Sequence, residues 1–350
     1  MVQKSEKIPV AVLGATGSVG QKFIQLLSDH PYFEVVEVAA SERSAGKTYT
    51  QAVNWILPDP IPERVANLKV KACKPNLKCK LAFSGLDSSV AGEVEEEFAR
   101  AGYMVVSNSK NHRQDTFVPL LIPEVNPDHI KLIEFQEYGK GKIVTNPNCS
   151  VIGLVIALKP IFDSFGLEAV NVVTMQAISG AGFPGVASLS ILDNVVPYIG
   201  GEEEKMELEP RKLLGKFTKQ GIQFLDIPIS AQCNRVTVLD GHTEAVQITL
   251  SKKASEQDII KCWRQFKSEP QKLKLPSAPV QPIHYFDNPA YPQPRLHRNL
   301  EKGMGISVGR LRTCKLFDYK FIVLSHNTVR GAAGGAILCG ELLFAKGLLD

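Results

Sequence analysis

Residues 8–20 read "IPVAVLGATGSVG", an apolar run that stops at a glycine and restarts as a helix. A strand apolar on both faces belongs inside a parallel sheet covered on both sides. Glycines at 14, 17 and 20 allow a tight turn and close backbone approach, and the following helix presents free N–H groups to a pyrophosphate. The spacing is GxxGxxG, a variant of the usual dinucleotide fingerprint. A plain strand-to-helix turn would look similar, but the strand before and the helix after favour nucleotide binding. Gly14, Thr16, Gly17, Ser18 and Val19 are the cofactor-binding candidates of this loop.

The alternation continues through "GQKFIQLLSDH", "FEVVEVAAS", "CKLAFSGL", "SSVAGEVEEEFARAG", "YMVVSNS" and "GKIVTNPN". Apolar strands separated by amphipathic helices predict an α/β, Rossmann-like doubly wound nucleotide-binding domain over residues 1–148. Beyond residue 165 strands follow one another: "EAVNVVTMQAIS", "IQFLDIPIS", "NRVTVL", "TEAVQITLS", "MGISVGRLR" and "YKFIVLSH". Two helical stretches, "EEEKMELEPRKLLG" and "SEQDIIKCWRQF", intervene. This predicts an α+β catalytic and dimerisation domain over 149–327 with a mostly antiparallel sheet. Six prolines in 276–294 argue against regular structure there. The small residues of "GAAGGAILCGELLFAKGLLD" suit close packing on a sheet, so 328–350 is expected to complete the first domain.

Fractions of 44% hydrophobic and 22% charged residues place the chain among ordinary globular proteins. A net charge of +4, with basic residues dispersed among acids, gives no nucleic-acid stripe and suits small anionic ligands. The seven cysteines show no CxxC pair and no histidine at ligand spacing. Neither a disulfide framework nor a metal site is expected. The polar N-terminus reads as neither signal nor transit peptide, and the apolar C-terminal stretch carries Glu341 and Lys346. A cytoplasmic protein without membrane partners is the expectation.

The second strand ends near Ala40 and runs into "SERS". NAD enzymes usually place an acid here for the ribose hydroxyl, and Glu42 could fill that place. Ser41, Arg43 and Ser44 offer a cation and two hydroxyls, a better match for a 2′-phosphate. NADP(H) is the expected cofactor.

"NPNCS" at 146–150 opens the apolar run "VIGLVIAL" and so sets Cys149 at the mouth of a helix. Buried cysteine is commonly a small core hydrophobe. A thiol at a helix N-terminus, however, is favoured as thiolate. Behind a nucleotide domain, a thiolate suggests covalent acyl chemistry on a nicotinamide enzyme, with a histidine to move the proton. Of seven histidines, His242 in "NRVTVLDGHTEAV" lies in a strand–turn–strand context, seven residues after Arg235. His30, His129, His284 and His297 read as surface residues.

These segments, with "SERSAGK", "GGEEEK" and "SHNTVRGAAGG", carry a resemblance over nearly the whole chain. It resembles the aspartate-β-semialdehyde dehydrogenases, in the style of their archaeal and fungal branch. The resemblance implies reversible reductive dephosphorylation of β-aspartyl phosphate through a Cys149 thioester, with His242 as acid–base residue, in amino-acid biosynthesis. It implies that Gln176 orients the acyl group, Arg235 grips the substrate carboxylate and Glu202 meets its amine. Glu203 and Glu204 compete with Glu202, which shares a helical face with Lys205 three residues on. Arg113, Lys205 and Asn148 would hold the phosphate, with Lys110 and His112 as competitors of Arg113. Ser84, Gly85, Gly180, Gly182 and Asn327 fall where the family lines its cofactor, and a homodimer or homotetramer is implied.

Three rivals stand beside this reading. N-acetyl-γ-glutamyl-phosphate reductases share the loop, thiol and histidine, but their acetylated substrate offers no free amine to Glu202. Malonyl-CoA reductases resemble this branch closely. A non-catalytic NADP-sensing regulator fits "GATGSVG" alone.

Overall fold

A computed structural model describes residues 7–349, so the polar residues 1–6, read above as no leader, lie outside the described residues. The chain divides into two compact units. One comprises residues up to Pro119, Ile130–Asn146 and the chain from Ala336; the other comprises Leu120–His129 and Pro147–Gly335.

The first unit is built on a six-stranded sheet of β1 (Ile8–Leu13), β2 (Phe33–Ala40), β3 (Lys71–Ala72), β4 (Leu81–Ser84), β5 (Met104–Ser107) and β6 (Lys142–Thr145). The strand order is β3-β2-β1-β4-β5-β6 and every pair is parallel, as in a doubly wound nucleotide fold. Helix α1 (Ser18–Leu27) buries Gly20, Phe23, Ile24 and Leu27, one helical stripe. Helix α2 (Ser88–Arg100) does the same with Ala91, Glu95, Phe98 and Ala99, and Asp87 caps it by accepting from the Ser89 N–H. The C-terminal helix, Gly334–Ala345, carries Gly340 where a Cβ would stand 2.8 Å from Phe83 Cζ, so only glycine allows that approach.

The second unit holds a mixed six-stranded sheet of β7 (Ala169–Gln176), β10 (Ile229–Arg235), β11 (His242–Thr249), β12 (Ile283–Phe286), β13 (Ile306–Thr313) and β14 (Tyr319–Ser325). Its order is β10-β7-β11-β14-β13-β12; the three central pairs are antiparallel and the two outer pairs parallel. A short hairpin, β8 (Lys216–Thr218) and β9 (Gly221–Gln223), lies apart from it. Burial alternates strictly along β7 and β11. Val170, Val172, Val246 and Ile248 form one apolar core with helix α3 (Cys149–Phe165), which is buried along most of its length. Helices α4 (Glu202–Leu213) and α5 (Glu256–Gln265) complete this unit, and Trp263 of α5 donates its indole N–H to Ala157 O of α3.

Several expectations are corrected here. Leu120–His129 clusters with the second unit because Leu120, Ile122 and Val125 enter its core, and so does the stretch 328–335. The proline-rich stretch holds a strand after all: Ile283–Phe286 pairs with Ile306–Gly309. Those four residues are proline-free, and an edge strand needs only one side of its ladder. The strand expected over "NRVTVL" ends at Arg235 and begins earlier, at Ile229. His30, His129 and His297 are buried, not surface residues; His30 stacks on Phe33 and bonds to Glu341 at 2.8 Å.

Candidate active site

Strand register alone gathers the core of the site. Arg235 is the last residue of β10 and pairs with Gln176, the last residue of β7. β11 runs antiparallel to β7, with Thr243 opposite Met175, so its first residue, His242, comes level with Gln176. All three side chains fall on the buried face, at 6%, 1% and 0% exposure. Three neighbouring strands thus deliver a guanidinium, an amide and an imidazole to one sheet edge.

Cys149 comes to them from α3. Asn148 caps that helix: its Oδ1 accepts from the N–H groups of Ser150 (2.9 Å) and Val151 (3.4 Å). This fixes Cys149 as the first helical residue, and its Sγ lies 3.2 Å from His242 Nε2. On the other side of the ring, Nδ1 accepts the Ala177 N–H at 3.0 Å. The neutral ring therefore carries its proton on Nε2, facing the sulfur. Burial and the charge of Arg235, partly opposed by Glu202, bring the imidazole pKa down to about 3. Arg235 donates Nη1–H to Ala177 O at 2.7 Å, and Cys149 and Glu202 both favour its charge against the cost of burial. Ala177 thus anchors both side chains through its own peptide groups.

Glu202 opens α4 and is the acid of the "EEE" run that enters the site. Burial opposes its ionisation, yet the Lys205 ammonium (2.6 Å) and hydrogen bonds from Asn148 and Gln176 hold its pKa below the ordinary carboxylate value. Asn148 Nδ2 donates to both its oxygens, at 3.1 and 3.0 Å, and Gln176 Nε2 to one at 3.3 Å. Glu203 instead accepts the Cys233 N–H of β10 at 3.0 Å, and Glu204 is exposed. Both ends of the Asn148 amide are thus engaged, on the helix cap and on Glu202.

Gly180 lies against the same cluster: a Cβ there would stand 2.8 Å from Arg235 Nη1 and 3.1 Å from His242 Cε1. Gly182 has φ +73°, a conformation that side chains rarely adopt. Asn327 Oδ1 accepts the Gly241 N–H (2.8 Å), next to His242, and its Nδ2 donates to Ser179 Oγ (2.8 Å).

The first unit carries the other candidates. Gly14 (φ +71°) ends β1, and a Cβ on it would stand 2.7 Å from Gly85 O, just beyond β4. These loops lie where the strand order reverses, the usual crevice for a dinucleotide. The loop is braced from behind, with Tyr49 Oη donating to Ala15 O and Gln21 Nε2 to Thr16 O. No side chain caps α1 at Gly17, and only Gly14 O comes near the space a Cβ there would take. An uncapped helix N-terminus behind side-chain-free glycines fits a pyrophosphate. Ser41 and Arg43 are exposed and Ser44 half-buried beyond β2, while Glu42 is engaged by Lys74 at 3.3 Å. The Ser84 hydroxyl donates to the buried Glu95 at 2.6 Å. Arg113 is buried and donates to Asn108 O at 2.9 Å.

Sequence reading missed Glu209, whose Oε2 accepts the Asn148 N–H at 2.7 Å. Its seven-residue spacing from Glu202, two turns on one helix face, was the available signal. Ala177 acts through backbone and left none. Among the described residues no cluster of His, Cys, Asp and Glu could hold a metal, and no helix is long and apolar enough to cross a membrane.

Comparison with known proteins agrees with this geometry. The model of the semialdehyde dehydrogenase NAD binding domain matches residues 9–133, and that of the semialdehyde dehydrogenase dimerisation domain matches 158–330. An aspartate-semialdehyde dehydrogenase of Candida albicans is 49% identical, covering 97% of this chain and 98% of its own. One from Archaeoglobus fulgidus is 48% identical, covering 97% and 99%. The crystal structure of the Candida albicans enzyme with NADP superposes with a TM-score of 0.90 at 44% identity, covering 98% of this chain and 100% of that one. The chain belongs to the aspartate-semialdehyde dehydrogenase family.

Proposed function

We propose that the chain reduces β-aspartyl phosphate to aspartate β-semialdehyde with NADPH, through a thioester on Cys149, as a step of amino-acid biosynthesis. The observation that carries this reading is the 3.2 Å contact between Cys149 Sγ and His242 Nε2 at the N-terminus of α3. Three features favour the thiolate there: the Nε2–H, the positive charge of Arg235, and the positive end of the helix dipole. Because the ring is neutral, the sulfur is not one half of an imidazolium pair. The thiolate attacks the acyl phosphate and phosphate leaves; the Nε2–H and the positive end of the helix dipole favour the oxygen on which charge builds.

The glycine loop with Ser41, Arg43 and Ser44 would hold NADPH, which supplies the hydride that reduces the thioester. The tetrahedral oxyanion left on the thioester carbon accepts a hydrogen bond from His242 Nε2–H. As its C=O bond re-forms the C–S bond breaks, and Cys149 leaves as thiolate with no net proton consumed. Gln176 orients the acyl carbonyl. Arg235 offers a planar fork to the α-carboxylate, which a lysine could not reproduce. Glu202, ionised in its buried place, meets the α-ammonium, and this free-amine contact separates the substrate from an acetylated analogue. Lys205 and Arg113 are the phosphate cations. The protein works as a homodimer or homotetramer in the cytoplasm.

The test is NADP reduction in the oxidative direction, with aspartate semialdehyde, succinic semialdehyde and malonic semialdehyde side by side. Phosphate-dependent turnover with the first at the highest kcat/KM supports the reading. Preference for malonic semialdehyde moves the malonyl-type reading ahead, and no turnover with any of them favours a non-catalytic sensor.

A further inference from the structure

Arg330 and Glu124 form an ion pair buried to 1% exposure on both sides. The pair is bidentate, Nη1 to Oε1 at 2.9 Å and Nη2 to Oε2 at 2.5 Å. Neither residue has a part in the chemistry above. Taking two charges out of water is expensive, and apolar residues of similar size often serve stability as well or better. A pair kept in such a place invites a geometric explanation, and the neighbouring residues supply one.

Arg330 lies in the single wide turn Val329–Ala333 that precedes the C-terminal helix, where the helical path breaks at Ala332. Wide turns of this kind recur at functional sites because they re-aim the backbone. The next residue, Gly331, lies directly on the nucleophile. A Cβ there would stand 2.7 Å from Cys149 Cβ, 2.9 Å from its Cα and 3.0 Å from its carbonyl oxygen. The Gly331 N–H is held by His326 O at 3.0 Å. The other end of this stretch governs His242: Ser325 is its partner across the β11–β14 ladder, and Asn327 holds the Gly241 N–H. Residues 325–331 therefore pair with His242 at one end and lie against the Cα and Cβ of Cys149 at the other.

We infer that the Arg330–Glu124 pair is a positioning device for the known family reaction, fixing the Gly331 backbone against Cys149 and so setting the Cys149–His242 separation. The inference rests on the reading of Cys149 as nucleophile. The bidentate fork matters because it fixes direction as well as distance, which a single point charge does not. A one-methylene change in either partner moves Gly331, and Cys149 has no slack on that side.

The test uses the full-length enzyme and two variants, Glu124→Asp and the apolar double substitution Arg330→Met with Glu124→Leu. Melting temperature, kcat, KM and the rate of Cys149 alkylation by iodoacetamide are measured for each. The expected result is kcat lowered at least ~10-fold, KM within about twofold, and a changed alkylation rate at Cys149 in variants that melt near the wild-type temperature. Arg330→Lys, which keeps the charge and loses the fork, should fall between. Wild-type kcat and alkylation rate in either folded variant would overturn the inference. If the double variant does not fold, Glu124→Asp decides alone. Alkylation is read without turnover, so a failure of the nucleophile assignment, seen as full activity in Cys149→Ala, stays distinct from a failure of the positioning role.

Discussion

His242 accepts the backbone N–H of Ala177 on Nδ1 at 3.0 Å, and that one bond decides which proton the imidazole can carry. With Nδ1 occupied as acceptor, the ring is neutral with its hydrogen on Nε2, toward the sulfur. Burial and Arg235 hold its pKa down to about 3, so it stays neutral across the working range. A nitrogen-resolved NMR titration should show the Nε2–H tautomer unchanged from pH 8 to pH 5. A His242 titration near the unperturbed value of about 6.5 would contradict this. The linkage has a definite sign. The unfolded chain binds this proton below about pH 6.5 and the folded chain does not, so the contribution is full above that pH and is lost as pH falls toward 3.

Cys149→Ala should abolish turnover while leaving NADP affinity intact. His242→Ala should lower the rate by about 10²–10⁴-fold, the usual worth of a positioned acid–base group. Steady-state rates and a fluorescence titration of the cofactor check both. Wild-type turnover in the cysteine variant would remove the covalent mechanism.

Arg43 is exposed beyond β2, and Lys74 engages the neighbouring Glu42. Arg43→Ala should weaken NADP binding by about 1.5–3 kcal/mol, the scale of a hydrogen bond to a charged group, and spare NAD. Equal losses for both cofactors would show that Arg43 does not read the 2′-phosphate.

Substrate choice rests on Arg235 and Glu202. Succinic semialdehyde keeps the carboxylate and lacks the amine, so it should show at least ~10-fold lower kcat/KM than aspartate semialdehyde, or about 1.4 kcal/mol. Glu202→Ala should erase most of that ratio, and Arg235→Lys should raise KM for both aldehydes. A ratio unchanged in Glu202→Ala would assign the amine contact elsewhere.

Glu244 lies two residues beyond His242 on the same buried face of β11, 1% exposed, with neither carboxyl oxygen hydrogen-bonded. Burial pushes its pKa well above the ordinary value, so the folded protein keeps this proton while the unfolded chain releases it above about pH 4.5. Stability from this group is therefore present at low pH and lost as pH rises. Glu244→Gln should gain in melting temperature over wild type progressively from pH 5 to pH 8. A constant difference would mean that Glu244 is ionised in the fold.

What the sequence reveals follows from how local each signal is. Cys149 is legible because turn, cap and helix lie within "NPNCS", and the glycine loop because strand, turn and helix are contiguous. His242 and Arg235 are legible as candidates, but that they meet Gln176 is a matter of strand register, which no local pattern contains. The Glu124–Arg330 pair spans 206 residues and has no sequence signature at all. The misread histidines fail for a related reason: His30 follows a polar dipeptide, yet its ring is stacked on Phe33 and closed over by Glu341 from the far end of the chain. Proline counting misled at Ile283–Phe286 because a proline-free window of four residues is enough for an edge strand.

The central claim is that Cys149 carries the acyl group, and it can be observed directly. Enzyme mixed with aspartate semialdehyde and NADP in phosphate-free buffer has no acceptor to release the acyl group except water. Rapid quenching and peptide mass spectrometry should then find an aspartyl adduct on the Cys149 peptide, formed with a burst of one NADPH per site and discharged when phosphate is added. A burst without that adduct, or an adduct on any other cysteine, would contradict the account.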